Sequence, residues 1–167
     1  EYALLAIGTL DMLSDNLSIS SRAIVEGLSS VSWRGRLDVI HREPKVIVDV
    51  SHNSEGIAGT IAFLKDKIKP ENTTTVLLLQ QGKPYEDIVE QLSAITLNAV
   101  AVDMSLGKPV AAEQLISEFS KNHIECSSIK SIAELQKKID DSDQNWMWLI
   151  IGSHYLAGEV YNCLHLS

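Results

Sequence analysis

Short apolar runs alternate with amphipathic stretches along most of the chain. Four runs rich in leucine or β-branched residues are typical of buried strands, and they lie at residues 46–48, 75–79, 99–102 and 146–151. Each run is followed by a polar loop and then by apolar residues at helical spacing. This alternation predicts an α/β fold, a mostly parallel sheet with helices on both faces.

Weaker patterns predict additional elements. Leu37 and Val39 alternate with polar residues, as in a half-buried strand, and residues 123–128 form a weaker strand candidate. The helix after the first buried strand keeps its apolar spacing through Ile68, and Pro70 is expected to stop it. We therefore expect the sheet to contain, besides the buried strands, at least one strand that is buried on one face only.

The first 31 residues have a different pattern from the rest. Residues 2–13 are apolar almost all round, which is typical of a helix that lies between other elements. A turn at Asp15 and Asn16 and a second helix from Ser20 or Ser21 to about Leu28 follow. The chain also begins at Glu1 without an initiator Met. We expect residues 1–31 to be the terminal helices and linker of a missing preceding domain, and residues 32–167 to form a second domain.

Candidate chemistry is concentrated where the first buried strand turns polar. Asp49, His52 and Asn53 follow the apolar run directly, and Asn53 or Ser54 is a good helix N-cap. In open α/β sheets, ligands bind at the carboxyl ends of strands, so Asp49 and His52 are candidates for a binding or catalytic site. The alternative is that they are turn residues, as Asn53 and Ser54 can be. Spacing alone leaves both interpretations open.

Composition narrows the possible classes of function. The 167 residues carry a formal net charge of −8, which argues against a nucleic-acid surface. No apolar run reaches the length of a membrane span and no secretory signal is visible. Two isolated cysteines without metal-ligand spacing favour a cytoplasmic protein. The sequence contains neither a Gly-x-Gly-x-x-Gly motif nor a Gly-Lys-Ser or Gly-Lys-Thr loop, so the usual phosphate-binding loops are missing.

Three motifs together resemble one family. Residues 33–37 resemble Trp-Pro-Gly-Arg-Leu, residues 49–53 resemble Asp-Gly-Ala-His-Asn, and residues 152–156 resemble Gly-Ser-Leu-Tyr-Leu. In this order and at these distances they are similar to the C-terminal domain of folylpolyglutamate synthase and dihydrofolate synthase, in the Mur ligase superfamily. The resemblance implies a Rossmann-like domain of the Mur ligase C-terminal type.

The resemblance also implies an activity. Enzymes of this family join L-glutamate to a folate or dihydropteroate carboxylate, using ATP and Mg²⁺, through an acyl-phosphate intermediate. The Gly-Lys-Ser loop and the magnesium ligands belong to the family's central ATPase domain. The chain is therefore expected to cooperate with that domain, to supply no metal ligand itself and to be inactive alone.

Four residues match functional positions of the family. The resemblance implies that Arg36 contacts ATP phosphates and that Asp49 contacts the nucleotide, on ribose hydroxyls. It places His52 and Ser153 in the cleft near glutamate and the transferring phosphate, as catalytic residues. The loop around Lys83 departs from the family pattern, because glycine and proline replace two aspartates there.

Two other hypotheses stay open at this point. The chain could belong to another Mur-type amino-acid ligase with a different acceptor. It could instead be a non-catalytic α/β ligand-binding module. The apolar helix at residues 2–13 distinguishes the second possibility, since a free-standing module is not expected to expose it.

Overall fold

The computed structural model describes residues 2–13 and 18–165, with only the backbone of Tyr2. The chain divides into two compact units, Glu1–Trp33 and Arg34–Ser167. The predicted turn at Asp15 and Asn16 lies outside the described residues. Among the described residues, no helix is both long enough and apolar enough to cross a membrane.

The first unit contains two helices, α1 (Tyr2–Met12) and α2 (Ser21–Ser30). Ser20 caps α2, since its hydroxyl oxygen accepts a hydrogen bond from the Ala23 amide at 3.2 Å. The helix continues to Ser30, two residues beyond the predicted end at about Leu28, and the hydroxyls of Ser29 and Ser30 donate to carbonyls of the preceding turn. Large apolar side chains of both helices are exposed, for example Leu4, Met12 and Val25.

The second unit is built on one sheet of six strands. They are β1 (Asp38–Arg42), β2 (Lys45–Asp49), β3 (Thr73–Leu77), β4 (Asn98–Val102), β5 (Glu125–Ile129) and β6 (Met147–Ile151). Their spatial order is β1-β2-β6-β3-β4-β5, with β1 antiparallel to β2 and every other pair parallel. The predicted mostly parallel sheet is confirmed.

Five α-helices and one short 3₁₀ helix cover this sheet. They are α3 (Ser54–Leu64), η1 (Pro70–Asn72), α4 (Tyr85–Leu92), α5 (Ala112–Lys121), α6 (Ile132–Asp140) and α7 (His154–Cys163). Helices α3, α4 and α5 pack on one face, and α6 and α7 pack on the other. The prediction of helices on both faces is confirmed.

Alternation along the strands divides the buried side chains between two cores. In β2, Ile47 joins the core under α3–α5, while Val46 and Val48 join the core under α6 and α7. In β3, Leu77 and Val76 separate in the same way. Because successive strand side chains point to opposite faces, a continuous apolar run is required when both faces are covered. The predicted buried runs therefore correspond to strands in the middle of the sheet.

Two predicted boundaries differ from the structure. Helix α3 ends at Leu64, four residues before Ile68, although Ile68 still packs against the core. Lys69 is extended (φ −113°, ψ 117°) ahead of Pro70, as the residue before a proline favours, so the chain leaves the helix before reaching it. The weak candidate at residues 123–128 is a true strand, β5, whose exposed positions reflect its place at the sheet edge.

Candidate functional site

A crevice is expected at the carboxyl edge of the sheet, around β6. Strand β6 lies between β2 and β3. The chain leaves β2 and β3 towards α3 and α4 on one face, but it leaves β6 towards α7 on the opposite face. Neighbouring strands whose connections diverge in this way form the usual ligand-binding position of open α/β sheets. The predicted residues Asp49, His52 and Ser153 all follow or end these strands.

Asp49 ties two loops together through its carboxylate. It is only 4% exposed. Its Oδ2 accepts a hydrogen bond from the Leu37 amide at 2.9 Å, and its Oδ1 accepts one from the Ser51 amide at 2.8 Å. A buried carboxylate needs such donors, so its cost of burial is offset by the backbone. Asp49 thus fixes the position of the loop at residues 34–37 relative to the end of β2.

That loop carries Arg36, whose side chain is exposed. Gly35 is buried with φ +73°, and its carbonyl accepts a hydrogen bond from the Val50 amide at 2.8 Å. A Cβ at Gly35 would lie 2.8 Å from a methyl of Val50, so both the backbone angle and the close approach require glycine. Leu37 also has a positive φ, +47°. Two residues with positive φ therefore flank Arg36 and fix the backbone position from which its side chain extends into solvent.

A second group of side chains supports the same loop. The Asp38 carboxylate accepts a hydrogen bond from the Tyr161 hydroxyl at 2.6 Å, and the Arg34 guanidinium lies 4.3 Å from the centre of the Tyr161 ring. Burial and then the Asp38 carboxylate raise the pKa of Tyr161 above its usual range. The sequence analysis missed this group, since Asp38 and Tyr161 are 123 positions apart and neither belongs to a shared motif.

His52 is half-buried at the start of the turn after β2. Its Nδ1 lies 2.9 Å from the Val50 carbonyl oxygen, which selects the tautomer with the proton on Nδ1 and leaves Nε2 as an acceptor. The ring of His154, the first residue of α7, lies 5.8 Å from the His52 ring in an edge-to-face arrangement. His154 was not predicted, although it occupies a position where the resembled motif has leucine.

Ser153 is buried and caps α7. Its hydroxyl oxygen accepts hydrogen bonds from the amides of Tyr155 at 3.1 Å and Leu156 at 3.4 Å. Gly152 before it has φ +102°, and a Cβ there would lie 2.6 Å from the Leu78 carbonyl oxygen. Asn53 is the matching cap of α3, accepting from the Gly56 amide at 2.9 Å, as the sequence predicted. Two capped helix N-termini thus begin at this edge of the sheet.

A side-chain clamp joins the next two loops along the edge. Gln80 donates from Nε2 to the Leu106 carbonyl at 2.9 Å and accepts from the Lys108 amide at 2.7 Å. The loop of Lys83, which departs from the family motif, begins directly after this glutamine, and the Lys83 amide donates to the Gln80 carbonyl at 3.3 Å. The sequence analysis did not identify Gln80 as an organising residue.

The predicted site residues fall into two local groups. Arg36 and Asp49 are connected through the backbone of Leu37, and His52 approaches His154, which follows Ser153. In the part of the chain that the structure describes, no hydrogen bond or ion pair joins Arg36 directly to His52 or Ser153. The sheet places both groups at its carboxyl edge.

The distribution of metal-ligating side chains bears on where a divalent cation could bind. Residues 2–13 and 18–165 contain no cluster of three or more His, Cys, Asp or Glu side chains that could hold a metal ion. His52 and His154 provide only a pair of imidazoles.

The chain matches no protein-family model. It is 30% identical over 147 residues to a dihydrofolate synthase/folylpolyglutamate synthase of Bacillus subtilis, which covers 85% of this chain and 33% of that protein. It is 24% identical over 173 residues to a probable dihydrofolate synthetase of Schizosaccharomyces pombe, covering 97% of this chain and 42% of that protein. Its homologues are folylpolyglutamate and dihydrofolate synthases. The chain spans about a third to two fifths of the length of these curated relatives.

Solved structures of these synthases share the fold. Escherichia coli FolC in complex with ADP superimposes with a TM-score of 0.83 at 22% identity, covering 96% of this chain and 38% of that one. A Yersinia pestis folylpolyglutamate synthase/dihydrofolate synthase complexed with AMPPNP and a Mn ion gives a TM-score of 0.76 at 21% identity, with 90% and 36% coverage. The predicted type of domain, the C-terminal domain of these synthases, is therefore confirmed at the level of fold.

Proposed function

We propose that this chain is the C-terminal domain of an ATP-dependent ligase that adds L-glutamate to folate or dihydropteroate. The proposal is carried by the hydrogen bonds of the Asp49 carboxylate to the Leu37 and Ser51 amides. They hold the Arg36 loop beside the expected crevice, in a fold shared with these synthases. Similar synthases have been solved with ADP and with a ligand named DHPP, which supports a nucleotide and a folate-type substrate. ATP would phosphorylate the substrate carboxylate, and the amino group of glutamate would displace phosphate from the acyl phosphate.

Arg36 is the residue proposed to contact ATP phosphates. Its side chain is exposed, and among the described residues it forms no ion pair. A guanidinium group matches phosphate oxygens with two parallel hydrogen bonds and offsets charge on a transferring phosphoryl group. The two constrained residues beside it, Gly35 and Leu37, limit the positions it can take.

For Asp49 the proposal is a positioning role. Both carboxylate oxygens already accept backbone hydrogen bonds, and the side chain is nearly inaccessible. Direct contact with ribose hydroxyls stays a prediction from the family motif. The geometry favours an indirect effect on the nucleotide, in which Asp49 holds the Arg36 loop in place.

His52 and Ser153 are proposed to face the reacting groups from the other side of the crevice. With its Nδ1 proton directed to the Val50 carbonyl, His52 keeps Nε2 available to accept a proton or hydrogen bond from the glutamate amino group. Ser153 is as buried as Asp49 and its oxygen caps α7, so the geometry favours a role in fixing the start of α7, and direct contact of its hydroxyl with the reacting groups stays a prediction from the family motif. We assign both residues to the glutamate and phosphate side of the reaction.

The remaining parts of the activity are proposed to come from a preceding ATPase domain. Residues 1–31 would be the terminal helices and linker of that domain, which agrees with their exposed apolar side chains. Mg²⁺ would bind with ATP on ligands of the preceding domain, as the resemblance to the family implies. We place the protein in the cytoplasm, an assignment that the free thiols of Cys126 and Cys163 support.

The test is glutamate-dependent ADP release by the natural protein that carries this sequence in full. Dihydropteroate and a reduced folate are compared as acceptors with the amino-sugar acids used by other Mur-type ligases. Turnover with a folate-type acceptor is expected, and the 167-residue chain alone should release no ADP above background. Turnover by the isolated chain, or turnover only with another acceptor, would contradict the proposal.

The Arg36→Ala variant tests the phosphate contact in the same assay. Losing a charge-assisted hydrogen bond costs about 1.5–3 kcal/mol, so kcat/KM for ATP should fall about ten- to a hundredfold. Arg34→Ala in the same loop is the matched control, since the Arg34 guanidinium stacks on the Tyr161 ring and is not proposed to contact ATP. Equal losses in the two variants would indicate a general effect of loop structure and remove the specific role of Arg36.

A further inference from the structure

A second cavity lies at the opposite, amino edge of the same sheet. It is open to solvent and has a volume of about 310 Å³. Three segments form it: the β1–β2 turn, the connection between α3 and β3, and the residues at the start of β6. Met147 marks the edge, since it is the first residue of β6 and is paired with Lys45, the first residue of β2, and with Thr73, the first residue of β3. Its size lies at the lower end of the range for small-molecule sites.

The lining of this cavity is strongly basic. Four of its residues are cationic, Arg42, Lys45, Lys67 and Lys69, and one, Glu43, is anionic. The local balance is therefore +3, in a chain whose formal net charge is −8. Like charges brought together repel unless an anion lies between them.

Within residues 2–13 and 18–165, no carboxylate forms an ion pair with these cations. The two ion pairs formed among the described residues, Arg22–Glu26 and Lys121–Glu118, lie elsewhere. Lys67 donates to the Phe63 carbonyl at 2.6 Å and lies over the Phe63 ring, which leaves two of its three N–H groups unused.

The backbone around these cations is held firmly. The Lys45 amide donates to the Trp146 carbonyl at 2.9 Å, which joins the β1–β2 turn to the start of β6. The Lys69 carbonyl accepts from the Asn72 amide at 3.0 Å and from the Thr73 hydroxyl at 2.8 Å. Fixed walls reduce the ordering that a ligand would have to impose on binding.

We propose that this cavity binds a small anion that carries two or more phosphate or carboxylate groups. The proposal is independent of the function assigned to the carboxyl edge, because the two sites lie at opposite ends of the strands. A phosphate compound and an oligomer of glutamate are two sources of the same chemistry. A singly charged anion is expected to bind much more weakly, since it cannot contact several cations at once.

The experiment measures binding of pyrophosphate, of tri-γ-glutamate and of acetate to the 167-residue chain by calorimetry at low salt. At least one of the two multivalent probes should bind with one-to-one stoichiometry, and which one binds identifies the source. The double variant Lys45→Gln with Lys69→Gln should weaken that binding at least about tenfold. The control Lys137→Gln with Lys138→Gln removes the same charge from two exposed lysines of α6, and it should change binding less than about twofold.

A further variant is expected to act in the opposite direction. Glu43→Gln removes the carboxylate of the cavity lining and should tighten binding about threefold. Thermal melts of the two double variants should each stay cooperative and lie within about 3 °C of the parent chain, which would show that folding is retained. Absence of saturable binding of both multivalent probes up to about 10 mM, or equal weakening by both double variants, would overturn the proposal.

Discussion

The two ends of the central sheet use their polar side chains in opposite ways. At the carboxyl edge, Asp49, Ser153 and Gln80 direct their polar atoms inward, onto backbone groups of neighbouring loops. At the amino edge, Lys45 and Lys69 are exposed and line an open basic cavity. The first arrangement builds loops of defined shape, whereas the second leaves charge available to a ligand. The difference predicts large losses of stability on substitution at the carboxyl edge and a small gain on substitution of the lysines at the amino edge.

The largest effect is expected for Gly152→Ala, at the carboxyl edge. The new methyl group would meet the Leu78 carbonyl oxygen in a left-handed backbone conformation, which should destabilise the fold by about 3 kcal/mol. Gly158→Ala in α7 is the control, because nothing lies within 4 Å of a Cβ there, and it should stabilise the fold by about 0.5–1 kcal/mol. Urea unfolding of both variants measures the contrast, and equal effects would contradict the explanation.

Asp49→Asn is expected to cost about 1–3 kcal/mol in unfolding free energy. An amide group can accept only one of the two backbone hydrogen bonds, and its NH₂ would then face the other donor. Asp103→Asn provides the comparison, since Asp103 also follows a parallel strand but is exposed, and it should stay within about 0.5 kcal/mol of the parent. A silent Asp49→Asn variant would show that the carboxylate does not hold the Arg36 loop.

Gln80→Ala should destabilise by about 1–2 kcal/mol, because it removes both hydrogen bonds from the Gln80 side chain to the loop at residues 106–108. Its neighbour Gln81 is exposed and forms one longer side-chain bond of 3.3 Å, so Gln81→Ala should cost much less. Hydrogen exchange of the Lys108 amide gives a local measurement. Unchanged protection in Gln80→Ala would rule out the clamp.

The smallest effect is expected at the amino edge. Lys45→Gln combined with Lys69→Gln removes mutual repulsion without removing an inward hydrogen bond of either side chain, so stability should rise by about 0.2–0.5 kcal/mol at low salt. The rise should disappear at high ionic strength. A loss of more than about 1 kcal/mol would mean that these lysines support the fold, contrary to the comparison drawn above.

The sequence was most informative where a residue's environment is set by its near neighbours. Val46 to Val48 predict a strand covered on both faces, and Asn53 predicts a helix start, because both signals are local. It was least informative where partners are distant. Asp49 depends on the amide of Leu37, and Asp38 on a tyrosine hydroxyl 123 positions later, so no periodicity could indicate either contact. The amino-edge cavity was missed for the same reason, since its cations come from two separate segments, residues 42–45 and 67–69, that only the fold brings together.

The position of β6 has a consequence for how the chain reaches its native state. This strand is the last in sequence but lies between β2 and β3 in the sheet. Strands β2 and β3 are therefore joined only through their hydrogen bonds to β6. During synthesis, one edge of β2 and one edge of β3 remain unpaired until residues 147–151 have left the ribosome. Pairing between strands that are distant in sequence slows folding, and the unpaired strand edges are prone to aggregation until β6 has been inserted. A ribosome stalled before residue 147 would hold a chain with two incomplete half-sheets, a natural target for chaperones.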